Sequence, residues 1–237
     1  MEAPFALVTG GSQGIGKAIA LALAGQGMSL LLVARRQEPL DIAVREARAL
    51  GVTAEGRAMD LLDDNARDRL IAEIDGRPSG LDVLVHSTGS IARADVVDAS
   101  LDDFDRQYQA NLRAPFALTK GVLPSLGRAR GQIVFVSSSA ALVARANTAQ
   151  YAATQAGLRA LATSLRDEVN SAGIRVTIVF PGRTATPRQA IIHAWEGRDY
   201  HPDRLLQPED VAAIVVASIA LPRTAEVTEI SIRPMAK

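Results

Sequence analysis

No cysteine occurs in the 237 residues, aromatic residues make up only 4%, and lysine plus arginine (26) balance aspartate plus glutamate (26) to a net charge of zero. The first absence excludes disulfides, thiolate nucleophiles and thiolate metal sites, and agrees with a reducing compartment. The second leaves the core to Leu, Val, Ile and Ala, since 48% of the chain is hydrophobic. The third argues against a nucleic-acid or membrane-surface partner, which a strongly basic field would serve. No uncharged apolar run reaches the ~18 residues of a membrane span. The chain opens on a strand-like run, Phe5 to Val8, rather than on a basic segment followed by a long apolar one. A soluble, cytoplasmic protein is expected. His86, His193 and His201 are scattered without metal-ligand spacing, so no metal is expected either.

A Pro/Gly/Ser-rich linker is also missing, and residues 1–237 are expected to form one domain large enough to fold unaided. Short aliphatic runs alternate with segments of helical period, the pattern of a parallel sheet with crossover helices. Strands are expected at 5–9, 29–33, 53–58, 81–86, 131–137, 174–180 and 226–232, and helices at 14–25, 38–50, 63–75, 101–127, 150–171 and 208–220. Continuous apolar runs such as Leu30 to Val33 and Ile133 to Val136 belong in strands buried on both faces. The fold class is therefore α/β: a doubly wound, Rossmann-type three-layer sandwich around a seven-stranded parallel sheet. In such sheets ligands bind at the carboxyl ends of the strands. The long connection 181–207 is expected to act as a substrate loop or lid over about 183–207.

Thr9-Gly10-Gly11-Ser12-Gln13-Gly14-Ile15-Gly16 follows a strand and opens a helix, so its backbone amides and the positive helix end can face a pyrophosphate. Gly10 suits the tight turn, Gly14 the approach of phosphate and Gly16 close packing of helix on strand. The second strand ends Ala34-Arg35-Arg36. An acid at position 34 would bond the adenosine ribose, whereas arginine suits a 2′-phosphate, so NADP(H) is the expected cofactor.

With these segments in order, the chain resembles the short-chain dehydrogenase/reductase family over nearly its whole length. The Thr9 to Gly16 loop looks like that family's cofactor loop and Asp60-Leu61 like its adenine-contacting pair. Asn111, Ser138 and Tyr151 look like its catalytic asparagine, serine and tyrosine. Pro181-Gly182, with Thr184 and Thr186, resembles its nicotinamide-side element, and Ile230 to Pro234 its closing strand. The resemblance implies hydride transfer between a nicotinamide and a small carbonyl compound or alcohol. It also implies a homodimer or homotetramer through the helices of 101–127 and 150–171, where Ala152, Ala156 and Ala160 offer a small-residue face.

Two departures stand out. Ser87-Thr88-Gly89 replaces the family's Asn-Ala-Gly, and Gln155 stands four residues after Tyr151 where the family carries lysine. Positions 151 and 155 lie one helical turn apart on one face. Tyr151 is the candidate general acid, Ser138, favoured over Ser137 and Ser139 on spacing, the hydrogen-bond donor to the substrate oxygen, and Gln155 a ligand for a ribose hydroxyl. Pro115 cannot donate to the carbonyl of residue 111, which leaves that carbonyl to hold a water in a kinked helix. Glutamine brings no charge to stabilise tyrosinate and cannot pass a proton by titrating. Impaired or atypical reduction is the first reading. A redox-neutral enzyme such as an isomerase or cyclase, and an NADP-binding module without turnover, are the others. Trp195 and Tyr200 line an apolar substrate pocket or form the underside of the lid.

Overall fold

The computed structural model describes residues 3–235. Residues 1, 2, 236 and 237, counted in the expected single unit, lie outside the described residues. Seven strands form one sheet: β1 Phe5–Thr9, β2 Ser29–Ala34, β3 Ala54–Ala58, β4 Val83–His86, β5 Gln132–Val136, β6 Arg175–Pro181 and β7 Glu229–Ile232. Their order is β3-β2-β1-β4-β5-β6-β7, and every pairing is parallel. The chain thus winds outward from β1 in one direction and from β4 in the other. Parallel order forces a crossover helix after each strand, and these helices cover both faces.

The strand sequences split residue by residue between the two layers. Ala6 and Val8 of β1, with Leu30, Leu32, Val83 and Val85, pack under α1 (Gly14–Gly25), α2 (Gln37–Ala49) and α8 (Pro208–Ile219) through Ile19, Leu40 and Val215. Phe5 and Leu7, with Leu31, Val33, Leu84 and Ile133, face α3 (Asp64–Asp75), α5 (Ala114–Ala129) and α6 (Ala149–Val169) through Leu70, Leu118 and Leu158. Alternate side chains of one strand point to opposite faces, so an unbroken apolar run is what a doubly covered strand needs. Helix starts follow local chemistry. The Asp63 carboxylate accepts from the Ala66 amide at 3.1 Å to cap α3, and Gln207 with Asp210 forms a capping box ahead of Pro208.

Two expectations change. Residues 101–127 are not one helix: α4 (Leu101–Tyr108) widens into a π turn over Gln109–Arg113 before α5 continues to Ala129. Pro115 cannot donate to the carbonyl four residues back, and the turn that absorbs this carries Asn111. The 181–207 connection holds a nine-residue helix, α7 (Pro187–Trp195), and a short 3₁₀ turn at Pro202–Arg204. Its start was written in the sequence as a capping threonine, Thr186, followed by proline at the first helical position. No helix among the described residues is long and apolar enough to cross a membrane.

His86, at the end of β4, stacks on Phe135 with ring centroids 4.9 Å apart and shares a 2.8 Å hydrogen bond through Nε2 with Thr119 Oγ1. Burial pushes its imidazole down to about 3 from an ordinary 6.5. Between those values the unfolded chain binds a proton that the folded chain refuses. Stability is therefore complete above pH 6.5 and declines as pH falls through the window, by about 1.4 kcal/mol per unit. Urea unfolding at pH 6.5 and 5.0 should show a loss of roughly 2 kcal/mol from this source. His86→Leu should remove that part of the slope; identical slopes in both proteins would refute the assignment.

Candidate functional site

A cleft of about 590 Å³ opens at the carboxyl ends of the strands, where the winding reverses between β1 and β4. Its floor begins with the loop after β1. Gly10 takes a left-handed φ of +69°, and its amide donates to the Val33 carbonyl at 2.8 Å. A Cβ on Gly10 would stand 2.6 Å from the Ser87 carbonyl oxygen, and one on Gly16 2.3 Å from the Gly10 oxygen, so both positions need glycine. Ser12, Gln13, Gly14 and Ile15 border the cleft beside the amino end of α1. That end has no acidic residue in its first turn, which leaves its amides and positive dipole to a ligand.

At one end of the cleft lie Ala34, Arg35 and Arg36, with Asp60 and Leu61 opposite. Arg36 donates to Gln13 Oε1 at 2.6 Å, and neither arginine meets a carboxylate among the described residues. Ser87 and Gly89 continue the wall toward the other end, where Asn111, Ser138, Tyr151 and Gln155 converge with Pro181, Gly182, Thr184 and Thr186. The structure thus brings the residues named from the sequence for catalysis and cofactor binding to one crevice. Ser139, weighed beside Ser138, is exposed and begins a 3₁₀ turn outside it.

The polar groups here are tied together. Asn111 is buried; its Nδ2 donates to the Ser90 carbonyl and to Thr154 Oγ1, each at 2.9 Å, and its Oδ1 accepts from the Ser90 amide at 2.7 Å. Thr154 Oγ1 donates onward to the Tyr151 carbonyl at 2.8 Å. Ser138 Oγ accepts from the Ala140 amide at 3.2 Å, which leaves its hydroxyl hydrogen for another partner. Gln155 is only 4% exposed, and its Oε1 accepts from Ser137 Oγ at 2.8 Å. Sequence reasoning passed over Ser137 and Thr154. The alternation of β5 puts Ser137 and Ser138 on different sides, but the chain bends at once into the 3₁₀ turn, and both border the cleft.

Over the Tyr151 end lies the segment containing α7. Arg188 and Ile192 border the cleft, whereas Trp195 is 56% exposed and Tyr200 packs edge-on against His193, 5.3 Å between ring centroids. Neither aromatic lines the pocket, which corrects that part of the sequence reading. On the buried face of α7, Gln189 and His193, one turn apart, bond each other through Gln189 Nε2 and the Gln189 carbonyl, at 3.1 and 2.8 Å from His193 Nδ1. Glu196 accepts two hydrogen bonds from Arg183, at 2.7 and 2.8 Å, and another from Arg93 in the loop after β4. Burial alone raises its carboxyl, and the hydrogen bonds from Arg183 and Arg93 more than offset this, so its value lies below the ordinary one.

A family model described as short chain dehydrogenase matches residues 4–197. The chain belongs to the short-chain dehydrogenase family. The chain is 36% identical to an uncharacterized short-chain type dehydrogenase/reductase of Sinorhizobium fredii, over 97% of the chain and 90% of that relative. Among solved structures it is similar to an alcohol dehydrogenase from the archaeon Thermococcus sibiricus in complex with 5-hydroxy-NADP, with TM-score 0.88, 25% identity, and coverage of 100% of this chain and 98% of that one. A variant of actinorhodin polyketide ketoreductase with NADPH gives TM-score 0.89 at 27% identity, covering 97% of this chain and 95% of that one.

Glu196 joins the loop after β4 to the segment after β6, so Glu196→Gln should loosen this dehydrogenase's cover without touching its core. Hydrogen exchange of residues 187–200 is expected to quicken about tenfold, the equivalent of ~1.4 kcal/mol of local opening. Amides of β1 and β4 should be unaffected. Unchanged exchange over 187–200 would show that Glu196 holds nothing.

Proposed function

We propose that this short-chain dehydrogenase is an NADP(H)-dependent oxidoreductase that interconverts a small carbonyl compound and an alcohol, one unit over residues 1–237 with 183–207 as its cover. What carries the reading is the continuity of the cleft: the glycine loop and Arg35-Arg36 lead without interruption to Ser138, Tyr151 and Gln155. The residues suit NADP(H). Missing Cβ atoms at Gly10 and Gly16 leave a cradle for the pyrophosphate, Ala34 offers no acid to the ribose, and Arg35 and Arg36 lack carboxylate partners among the described residues. The archaeal alcohol dehydrogenase with a 5-hydroxy-NADP and the ketoreductase with NADPH support the same cofactor.

When bound, the nicotinamide supplies or accepts hydride. The chain's own groups handle the proton and the geometry. The Tyr151 hydroxyl gives its proton to the carbonyl oxygen, and Ser138, its oxygen already held by the Ala140 amide, donates a hydrogen bond to that same atom. Asn111, through Ser90 and Thr154, fixes the turn of α6 that carries Tyr151. Ser137 engages the Gln155 oxygen, which leaves the amide nitrogen as the donor for a ribose hydroxyl. The family resemblance implies lysine at this position, and glutamine gives tyrosinate no charge. We also propose a homodimer or homotetramer through α4, α5 and α6. Leu101, Phe104, Tyr108 and Phe116 expose apolar surface there; Ala156 and Ala160 are exposed too, but Ala152 is buried within the chain and cannot serve a partner.

NADPH is expected to bind more tightly than NADH by on the order of 1 to 3 kcal/mol, the range of charge-assisted contacts to a 2′-phosphate. Fluorescence titration measures this, and Arg35→Ala with Arg36→Ala should erase the difference; equal affinities in the unaltered protein would exclude the assignment. A second measurement concerns the reaction. A lysine charge about 5 Å from the tyrosine oxygen at an effective dielectric near 20 is worth roughly 3 kcal/mol. Discounted for solvent and repacking, Gln155→Lys should raise turnover about 10- to 100-fold, more for alcohol oxidation than for ketone reduction. Tyr151→Phe should then abolish it. Product formed without net change in NADPH absorbance would select a redox-neutral enzyme, and saturable NADPH binding with no product would select a binding module.

A further inference from the structure

We propose that Arg188 makes the substrate end of the cleft a receptor for a carboxylate, so that oxo acids and their hydroxy acids are preferred over neutral ketones and alcohols. The inference rests on the oxidoreductase reading above and adds a substrate class to it.

Arg188 borders the cleft from the first turn of α7. Its Nη2 donates to the Gly89 carbonyl at 2.6 Å. A Cβ built on Gly89 would look toward both Asn111 Oδ1, at 2.9 Å, and Arg188 Nη1, at 3.9 Å. The guanidinium therefore sits at the Asn111 end of the cleft, away from Arg35 and Arg36. That one bond occupies one of five N–H donors and fixes the group while leaving an edge free, the geometry a carboxylate accepts in pairs.

Charge pairing distinguishes Arg188 from the arginines gathered on Glu196. Arg93, Arg183 and Arg198 all converge on Glu196, whereas no carboxylate lies within ion-pair distance of Arg188 among the described residues. Among the described residues the only acid bordering the cleft is Asp60, beside Leu61 after β3, the sheet neighbour of the β2 strand that leads to Arg35 and Arg36. A cation in a helix's first turn also opposes the helix dipole, and α7 has no acidic residue there to compensate. An anion from solution relieves both. Ile91 and Ile192 border the same end and suit a short aliphatic chain behind the carboxylate.

The test uses the full chain with 2-, 3- and 4-oxopentanoate and the methyl ester of each. Turnover is read as NADPH consumption, and binding to the NADP⁺ complex is read by calorimetry. For at least one isomer the acid should exceed its ester tenfold or more in kcat/KM, and Arg188→Met should bring that ratio close to one, mainly through KM of the acid. Arg188→Lys, which keeps the charge, should retain more of the ratio than Arg188→Met. A ratio near one in the unaltered protein, or a high ratio that Arg188→Met leaves alone, overturns the proposal. Loss of NADPH affinity by tenfold or more with an unaltered ratio assigns Arg188 to the cofactor phosphates and overturns it as well. If neither acid nor ester turns over, the oxidoreductase reading fails by itself. In that case acid binding to the NADP⁺ complex, weakened by Arg188→Met, still supports the carboxylate receptor, and its absence overturns it.

Discussion

Gly10 turns its α-carbon toward the Ser87 carbonyl so closely that no side chain fits between them. This contact joins the loops after β1 and β4, the two strands from which the winding diverges. Gly16 repeats the constraint one turn into α1, pressing that helix against the Gly10 carbonyl. The result is an amino-terminal helix end drawn to the lip of the sheet, with its free amides facing the crevice. A larger residue at either position would push α1 away from β1. The groove would widen where a pyrophosphate has to touch backbone.

At the other end of the cleft the constraint is polar. Asn111 spends its side-chain donors and acceptor on Ser90 and Thr154, and Thr154 reaches the Tyr151 carbonyl, so a buried chain of hydrogen bonds runs from the loop after β4 to the turn of α6 that carries Tyr151. Such a network is costly if any member is unpaired, which is why it fixes geometry. Gln155 sits in the same interior, 4% exposed and bonded to Ser137. A neutral amide rests there at little desolvation cost. A lysine ammonium would have to be buried with no carboxylate bordering that end of the cleft, and only tyrosinate and bound cofactor would compensate it. Gln155 thus favours stability of the free chain, while a lysine would serve the charged state of the reaction.

How much of this the residues announce depends on the range of the signal. Runs such as Leu30 to Val33 located their strands because burial on both faces demands continuous apolar sequence. The glycine loop and Arg35-Arg36 were legible for a similar reason: each acts through its immediate neighbours. Ser137 was set aside for Ser138 because its role depends on Gln155, eighteen positions away along the chain and reached only when α6 packs against the end of β5. The π turn at Gln109–Arg113 was half legible. Pro115 marked the interruption, but whether the helix would kink or widen is set by where Asn111 finds partners in Ser90 and Thr154. α7 is announced only by its start, Thr186-Pro187, since its nine residues are too few for a strong helical period.

Net charge, the coarsest feature of the sequence, turns out to constrain the least. Zero overall charge argues against a diffuse hold on long polyanions, since that needs a field spread over the surface. It does not bear on a ligand with a few localised charges. The cleft is bordered by Arg35, Arg36 and Arg188 against the single carboxylate of Asp60, while Glu196 gathers Arg93, Arg183 and Arg198 outside it. The carboxylate shared by three arginines ties the cover to the loop after β4, while Arg35, Arg36 and Arg188 border the groove with no carboxylate within ion-pair distance among the described residues. Segregating the pairs in this way gives a neutral protein a positive crevice. Fixed donors at short range then do for a small ligand what a large surface field does for a longer polyanion.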